Sequence, residues 1–418
     1  MRQPKAEDSK PKTQEISAAE IERAAGVLRG RVIRTPLIYS PTFSRLAGFE
    51  VYLKLENLQA TGSFKIRGAT YKILNELERI GKGGVVAASA GNHAQGVALA
   101  ASRAGLASTI VMPEWASISK QEATRGYGGK VILEGQSLSD SIKRALELAK
   151  DGRTFIHPFD DPSIIAGQGS IGLEIMEELP DVELIAVPVG GGGLVAGIAV
   201  AARAIRPGVR IIGVQAERCP SALKAVETGE RITVEALRSI ADGITVRQIG
   251  CIPFDIVRKE VDEIVLASED RIAEAVIMLL ERKKILAEGA GAVCVAALLG
   301  GAIKAPPEAK AALVISGGNI DIPLLDRVIR KGLSRNGRIM RFSVRLDDVP
   351  GALANLLGII AGAKANVLQI YHNRGGADMS IDQSLVELEI ETRNFEHIRE
   401  IEAVLNQTGY LIELRNLS

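Results

Sequence analysis

Between Val51 and about Arg330, short apolar runs alternate with stretches of helical length and period. This alternation limits the possible folds more than any other feature of the chain. The apolar runs cover residues 51–55, 85–89, 109–112, 131–133, 184–189, 210–214 and 312–315, and segments such as 137–150 and 269–283 have helical periodicity. Strands alternating with helices imply βαβ units and a mainly parallel sheet. Parallel strands are buried on both faces, so they appear as continuous apolar runs, as these do. The uncharged run 184–202 approaches the length of a membrane span, but Pro188 and the glycines at 190–193 interrupt it. A buried strand, a loop and a buried helix fit it better.

Residues 1–15 are polar and charged, which predicts a disordered tail and no secretory leader. Order is expected from Ser17, whose spacing to Glu20 is a capping box opening a helix to about residue 29. The pattern changes after about residue 333: a polar stretch at 334–338, Ser334-Arg335-Asn336-Gly337-Arg338, is expected to link a catalytic domain (16–333) to a smaller one (339–418). The latter shows a strand at 339–346, a helix to 362, strands at 366–373 and 381–391, a helix at 394–406 and a strand at 410–414. The order β-α-β-β-α-β is that of ferredoxin-like domains.

Composition excludes several function classes. Fifty-one basic and fifty acidic side chains leave a net charge of +1, so no broad field favours nucleic acid or a membrane surface. Aromatic residues make up 4% of the chain, too few for a base-stacking platform. Cys219, Cys251 and Cys294 are too far apart for a CxxC site, which suits a reduced, cytoplasmic protein. His93, His157, His372 and His397 lack metal-ligand spacing, and neither a dinucleotide fingerprint nor a P-loop occurs. No metal is expected from these patterns.

Forty-three glycines are a local excess, and part of it lies in loops after strands. Gly190-Gly191-Gly192-Gly193 follows a buried strand and precedes an apolar helix, where free N–H groups can hold an anion. A tight turn is the alternative, but one or two glycines would suffice for it. Ala60-Thr61-Gly62-Ser63-Phe64-Lys65-Ile66-Arg67-Gly68-Ala69 puts a lysine at a helix start. Taken alone, that lysine would be a solvated side chain and Phe64 a core residue. Ser89-Ala90-Gly91-Asn92-His93 and Ser316-Gly317-Gly318-Asn319 are polar loops that capping or turn chemistry alone could explain. Together, at strand ends where α/β sheets bind ligands, the four loops describe a site for a phosphorylated carbonyl cofactor.

With these motifs in this order, residues 17–418 resemble the threonine dehydratase (threonine ammonia-lyase) family. The resemblance implies a fold-type-II, tryptophan synthase β-like catalytic unit of two parallel-sheet lobes, followed by a ferredoxin-like ACT domain. It implies that Lys65 binds pyridoxal 5'-phosphate covalently and later removes the substrate Cα proton, with Phe64 against the ring. Gly190, Gly191, Gly192, Gly193 and Leu194 would hold the phosphate, Asn92 the 3'-oxygen, and Ser316 the ring nitrogen. Ser89, Ala90, Gly91, Asn92 and His93 would receive the substrate carboxylate, and Glu288 would lie near the cofactor. A hydroxyl such as that of Ser316 cannot hold a proton on the ring nitrogen as a carboxylate would. Elimination of the β-hydroxyl is thereby favoured over racemisation or transamination.

Ala90 stands where related racemases carry a serine that donates a proton. Gln215 stands where a divalent-metal site would call for a carboxylate, although Glu217 is close by. In the ACT domain, Asp347, Pro350 and Gly351, with Asn366 across a dimer, are expected to bind an amino-acid effector such as isoleucine, unless the module only dimerises. The expected activity is deamination of L-threonine, with L-serine a weaker substrate, by a homodimer or homotetramer with no nucleic-acid or membrane partner. Rival readings are a hydroxyaspartate ammonia-lyase, a serine racemase, or a catalytically silent amino-acid sensor.

Overall fold

A computed structural model describes residues 16–375 and 380–415, so the tail expected at 1–15 lies outside the described residues. Contacts divide the chain after Asp321 into two compact units, 1–321 and 322–418. In the first unit the strands are β1 (Leu37–Tyr39), β2 (Glu50–Leu55), β3 (Val85–Ala88), β4 (Ser108–Met112), β5 (Gly129–Leu133), β6 (Thr154–Phe155), β7 (Leu184–Pro188), β8 (Arg210–Ala216), β9 (Glu263–Ala267) and β10 (Lys310–Ile315).

They form two sheets. The larger has the order β1-β2-β10-β7-β8-β9, and the smaller β5-β4-β3-β6. All pairs are parallel except the edge pair β1–β2. The central strands β3, β4, β7 and β10 are almost wholly buried, which is why the sequence shows them as unbroken apolar runs. Each sheet defines a lobe with its own apolar core, one built around Ile185, Val187, Ile198 and Val314, the other around Ile66, Val85, Val97 and Ile110. The uncharged run at 184–202 resolves into β7, a glycine loop and the helix Gly193–Ile205. Among the described residues, no helix is long and apolar enough to cross a membrane.

The capping box at Ser17 and Glu20 is present and opens the helix Ala18–Leu28. The helical stretch expected at 269–283 divides into Glu269–Met278 and a wider π turn at Leu279–Lys283, closed by Lys284 at φ 60°.

The second unit contains β11 (Ile339–Asp347), β12 (Asn366–Asn373), β13 (Gln383–Glu391) and β14 (Ile412–Leu414), in the antiparallel order β12-β13-β11-β14. Helices Ala352–Gly362 and Phe395–Gln407 complete the ferredoxin-like arrangement around Phe342, Val344, Leu356, Val386 and Ile401. Ser334 and Arg335, expected in a linker, instead close the helix Ile322–Arg335. The chain leaves that helix only at Asn336 and turns through Gly337, at φ 64°.

Candidate active site

Three of the four glycine-bearing loops are bonded directly to one another. Ser63 and Gly317 form an isolated antiparallel bridge, Phe64 N–H donates to Ser316 O at 3.1 Å, and Gly318 N–H donates to Gly62 O at 2.9 Å. Asn319 Nδ2 donates at 2.7 Å both to Thr61 O and to Asn92 Oδ1, which ties the Ser89–His93 loop to the other two. Asn92 Nδ2 in turn donates to Glu288 Oε1 at 2.6 Å, and Glu288 N–H reaches Gly317 O. Gly62 sits at φ 69°, and a Cβ there would fall 2.4 Å from Asn319 Oδ1, so both conformation and space require glycine.

The fourth loop joins through residues 158 and 159. Lys65 Nζ donates to Pro158 O at 2.7 Å, while the next ring, Phe159, lies where a Cβ on Gly191 would fall, at 2.2 Å. A Cβ on Gly193 would meet Phe159 O, and one on Gly192 would meet Pro253. The glycines are therefore required by close protein packing on their Cα side. Their amide side is different. Among the described residues, the N–H groups of Gly190, Gly191, Gly192, Gly193 and Leu194 meet no protein acceptor. Gly192, at φ 92°, opens the helix Gly193–Ile205 with no side-chain cap. Orphan donors at a helix N-terminus suit an anion.

Lys65 is half-buried, begins the helix Lys65–Asn75, and holds its amine 5.2 Å from the Phe64 ring centre. Burial lowers its pKa to about 8, against a smaller opposing pull from Glu288. Neutral amine, the form that attacks a carbonyl, is thus available near neutral pH. Glu288 is 6% exposed, and its pKa is raised to about 7, first by burial and then by Asp242; Asn92, Lys120 and Lys65 oppose that rise. An amine poised to be neutral and a run of free N–H groups fit an aldehyde that carries a phosphate.

Lys65, Phe64, Asn92, Ser316 and Glu288 fall within the bonded cluster, and the glycine loop adjoins it through Phe159. Phe64 also packs on the larger lobe's core. Ser316 Oγ is buried and reaches only Ala290 O, at a long 3.4 Å. Ser89 Oγ accepts from Gly91 N–H, shaping that loop, and Ala90 brings no proton donor. His93 is turned toward Ile156 O, and burial lowers its pKa to about 3, so its ring is neutral. Gln215 is fully bonded: its Oε1 accepts from Ala222 and Leu223 N–H, and its Nε2 faces Val189 O and Ser221 Oγ.

In the second unit Asp347, Pro350 and Gly351 line a concavity of about 520 Å³ that also includes Asp348, His372 and Arg374. Within one chain Asn366 lies away from it, paired with Glu391 of β13 opposite Ile339 at the start of β11, whereas the concavity is at the far end of β11; the expectation for Asn366 concerned a second copy of the chain. Sequence reasoning missed Pro158, Phe159, Asn319 as a bridge, and the partners Lys120 and Asp242. Only Asn319 stood in a recognised motif.

A family model described as "Pyridoxal-phosphate dependent enzyme" matches residues 28–317. The chain is similar to an L-threonine ammonia-lyase of Thermotoga maritima, with 50% identity over 401 residues, 96% of this chain and 99% of that protein. It is also similar to the catabolic L-threonine dehydratase of Escherichia coli K12, with 45% identity over 315 residues, 75% of this chain and 96% of that one. Among solved structures, maize serine racemase superposes with a TM-score of 0.71 at 33% identity, covering 76% of this chain and 98% of that one. The lobes, the lysine, the orphan amides and these likenesses agree: the chain belongs to the pyridoxal-phosphate dependent enzyme family.

Proposed function

We propose that the protein deaminates L-threonine to 2-oxobutanoate and ammonia, and L-serine to pyruvate and ammonia more weakly. The observation that carries this reading is the pairing of Lys65's poised amine with five unpartnered amides of the glycine loop, joined through Pro158 and Phe159. Near-full-length similarity to an L-threonine ammonia-lyase supports the choice of substrate.

When bound, pyridoxal phosphate supplies an aldehyde for the substrate amine and a ring that draws electron density from Cα. The other roles belong to this chain's own groups. Lys65, held by Pro158 O, is the base for the Cα proton. The amides of 190–194 hold the phosphate, and the start of the helix Asn92–Arg103 receives the substrate carboxylate. Asn92 is fixed between Glu288 and Asn319, so its amide has one orientation. The Ser316 hydroxyl, with only a long bond to Ala290 O, is free to donate to a ring nitrogen but cannot charge it. Ala90 offers no proton to the opposite face of Cα, which disfavours racemisation. Threonine loses ammonia with no net uptake of water, because the water expelled with the β-hydroxyl returns when the enamine hydrolyses.

The second unit is an ACT-type regulatory module in this reading, with the concavity bounded by Asp347, Pro350 and Gly351 as its amino-acid site, completed in a homo-oligomer. The test is release of 2-oxo acid from threonine, serine and hydroxyaspartate, with and without isoleucine. Threonine is expected to be the best substrate. Faster turnover of hydroxyaspartate, or chiral inversion of serine exceeding 2-oxo acid release, would overturn the assignment.

A further inference from the structure

The two lobes of the first unit meet at a further charged contact, beside the site but outside it. Lys120 lies in the helix Ile118–Gly126, which follows β4 of the smaller sheet. Its Nζ sits 3.3 Å from Asp242 Oδ2 and 3.4 Å from Asp321 Oδ2. Both acids come from the larger lobe: Asp321 lies two residues past Asn319, and Asp242 opens the short helix Asp242–Ile244. The other oxygen of Asp321 accepts from Ser117 Oγ at 3.2 Å and Ser119 Oγ at 3.0 Å. One lobe thus contributes an ammonium and two hydroxyls, and the other contributes two carboxylates.

These acids stand on segments that build the site. A Cβ on Gly243 would come 3.7 Å from Glu288 Oε1, and Ile244 backs Gly190. Asn319, just before Asp321, holds Asn92 and Thr61. We propose that Lys120, Asp242 and Asp321 form an interlobe latch that holds the smaller lobe, and with it the Ser89–Asn92 loop, closed over bound substrate. They are positioning residues: none needs to touch the reacting atoms.

The strength of the contact suits a latch. Side-chain exposure is 18% for Lys120, 29% for Asp321 and 60% for Asp242, so each pair is individually weak and screened by salt. A contact that must break for substrate entry and product release has to be of this kind. Burial opposes the charge on Lys120 while both acids favour it, and the net effect keeps the ammonium charged. Without Lys120, the two carboxylates of the larger lobe would be left without their shared cation at the cleft rim, with Asp242 uncompensated beside Glu288.

The test uses the full-length, cofactor-loaded enzyme as wild type, Lys120→Met, Lys120→Arg, Asp321→Asn and the double variant Lys120→Met/Asp321→Asn. Without substrate, hydrogen exchange in residues 89–92 and 118–126 is expected to quicken at least fivefold in Lys120→Met, with β7 and β10 unchanged and Lys120→Arg close to wild type. Unchanged exchange in both segments would overturn the latch. This arm is independent of the deamination reading, on which only the kinetic arm rests. In the kinetic arm, KM for threonine should rise three- to tenfold in Lys120→Met, while kcat falls no more than twofold. Raising salt should raise the wild-type KM but leave that of Lys120→Met unmoved, and the double variant should be no worse than Lys120→Met. Fully additive losses, or an unaltered salt response in Lys120→Met, would refute it. If Lys120→Met does not fold, Asp321→Asn, nearly unchanged in shape, carries the same expectations. A wild type that releases no 2-oxo acid would strike the deamination reading and leave the exchange arm decisive.

Discussion

Lys65 shows how much a single residue owes to its surroundings. Burial disfavours its ammonium form, so the amine is half neutral near pH 8 rather than near 10.5. The rate at which apoprotein captures pyridoxal phosphate, followed by absorbance, should therefore rise with pH and level off above about 8. A rate still climbing toward 10.5 would mean an unshifted lysine. Lys65→Ala should lower 2-oxo acid release by about 10³-fold or more, since it removes both the attachment point and the base. Glu288 is the converse case. Its pKa lies at about 7 in the fold against 4.5 for an ordinary glutamate carboxyl, so the folded apoprotein keeps a proton that the unfolded chain has lost between those values. The stability this gives is complete below about 4.5 and is lost as pH rises through about 7. Glu288→Gln should flatten that decline, which amounts to about 3 kcal/mol at most, in thermal melts of apoprotein from pH 4.5 to 8. The sequence exposed Lys65 and Asn92 because each lies in a contiguous motif. It could not expose Pro158, whose part is played by a carbonyl that every residue type possesses.

At the scale of the element, the helix Lys65–Asn75 is anchored by a residue of the same motif that never enters the site. Arg67 is fully buried and donates to both oxygens of Glu56, at 2.8 and 2.7 Å, and both of Glu174, at 2.6 and 2.8 Å. Buried Lys54 extends the network to Glu174 at 2.7 Å. Arg67→Met should cost about 3–5 kcal/mol in denaturant unfolding, because it takes the bonded cation from the fully buried Glu56 carboxylate, while Glu174 keeps Lys54. A loss below 1 kcal/mol would show that the network relaxes or hydrates freely. The motif was legible, but its division of labour was not: Lys65 and Arg67 are two residues apart and face different surroundings. Among strands, those buried on both faces announced themselves, while β1, β6 and β9 did not. β6 has two residues, β1 has three, and β9 is only partly buried at four of its five positions. Each is an edge strand, whose pairing partner supplies what its own sequence lacks.

At the scale of the whole molecule, the two units invite separation. The Escherichia coli relative matches only 315 residues of this chain yet is covered over 96% of its own length, so a protein of about the first unit's size stands alone there. Both units have their own cores. The ferredoxin-like order was legible because its apolar alternation is regular, but the cut was not, since the helix Ile322–Arg335 continues the helical texture of the first unit while its contacts belong to the second. A chain ending at Asp321 is therefore expected to deaminate threonine within about threefold of the full-length rate and to lose any response to isoleucine. In the full chain, Gly351→Asp should remove the response while sparing turnover. Gly351, at φ 94°, has nothing within 4 Å of the position of an added Cβ, so a side chain meets no steric clash there beyond the strain of its backbone. The new carboxylate would join Asp347 and Asp348 in the concavity and repel an effector's own carboxylate. Steady-state assays of the three proteins across an isoleucine titration, with calorimetry for binding, decide the matter. A truncated chain that still responds would place the effector in the first unit, and a Gly351→Asp chain that still binds would move it away from this loop.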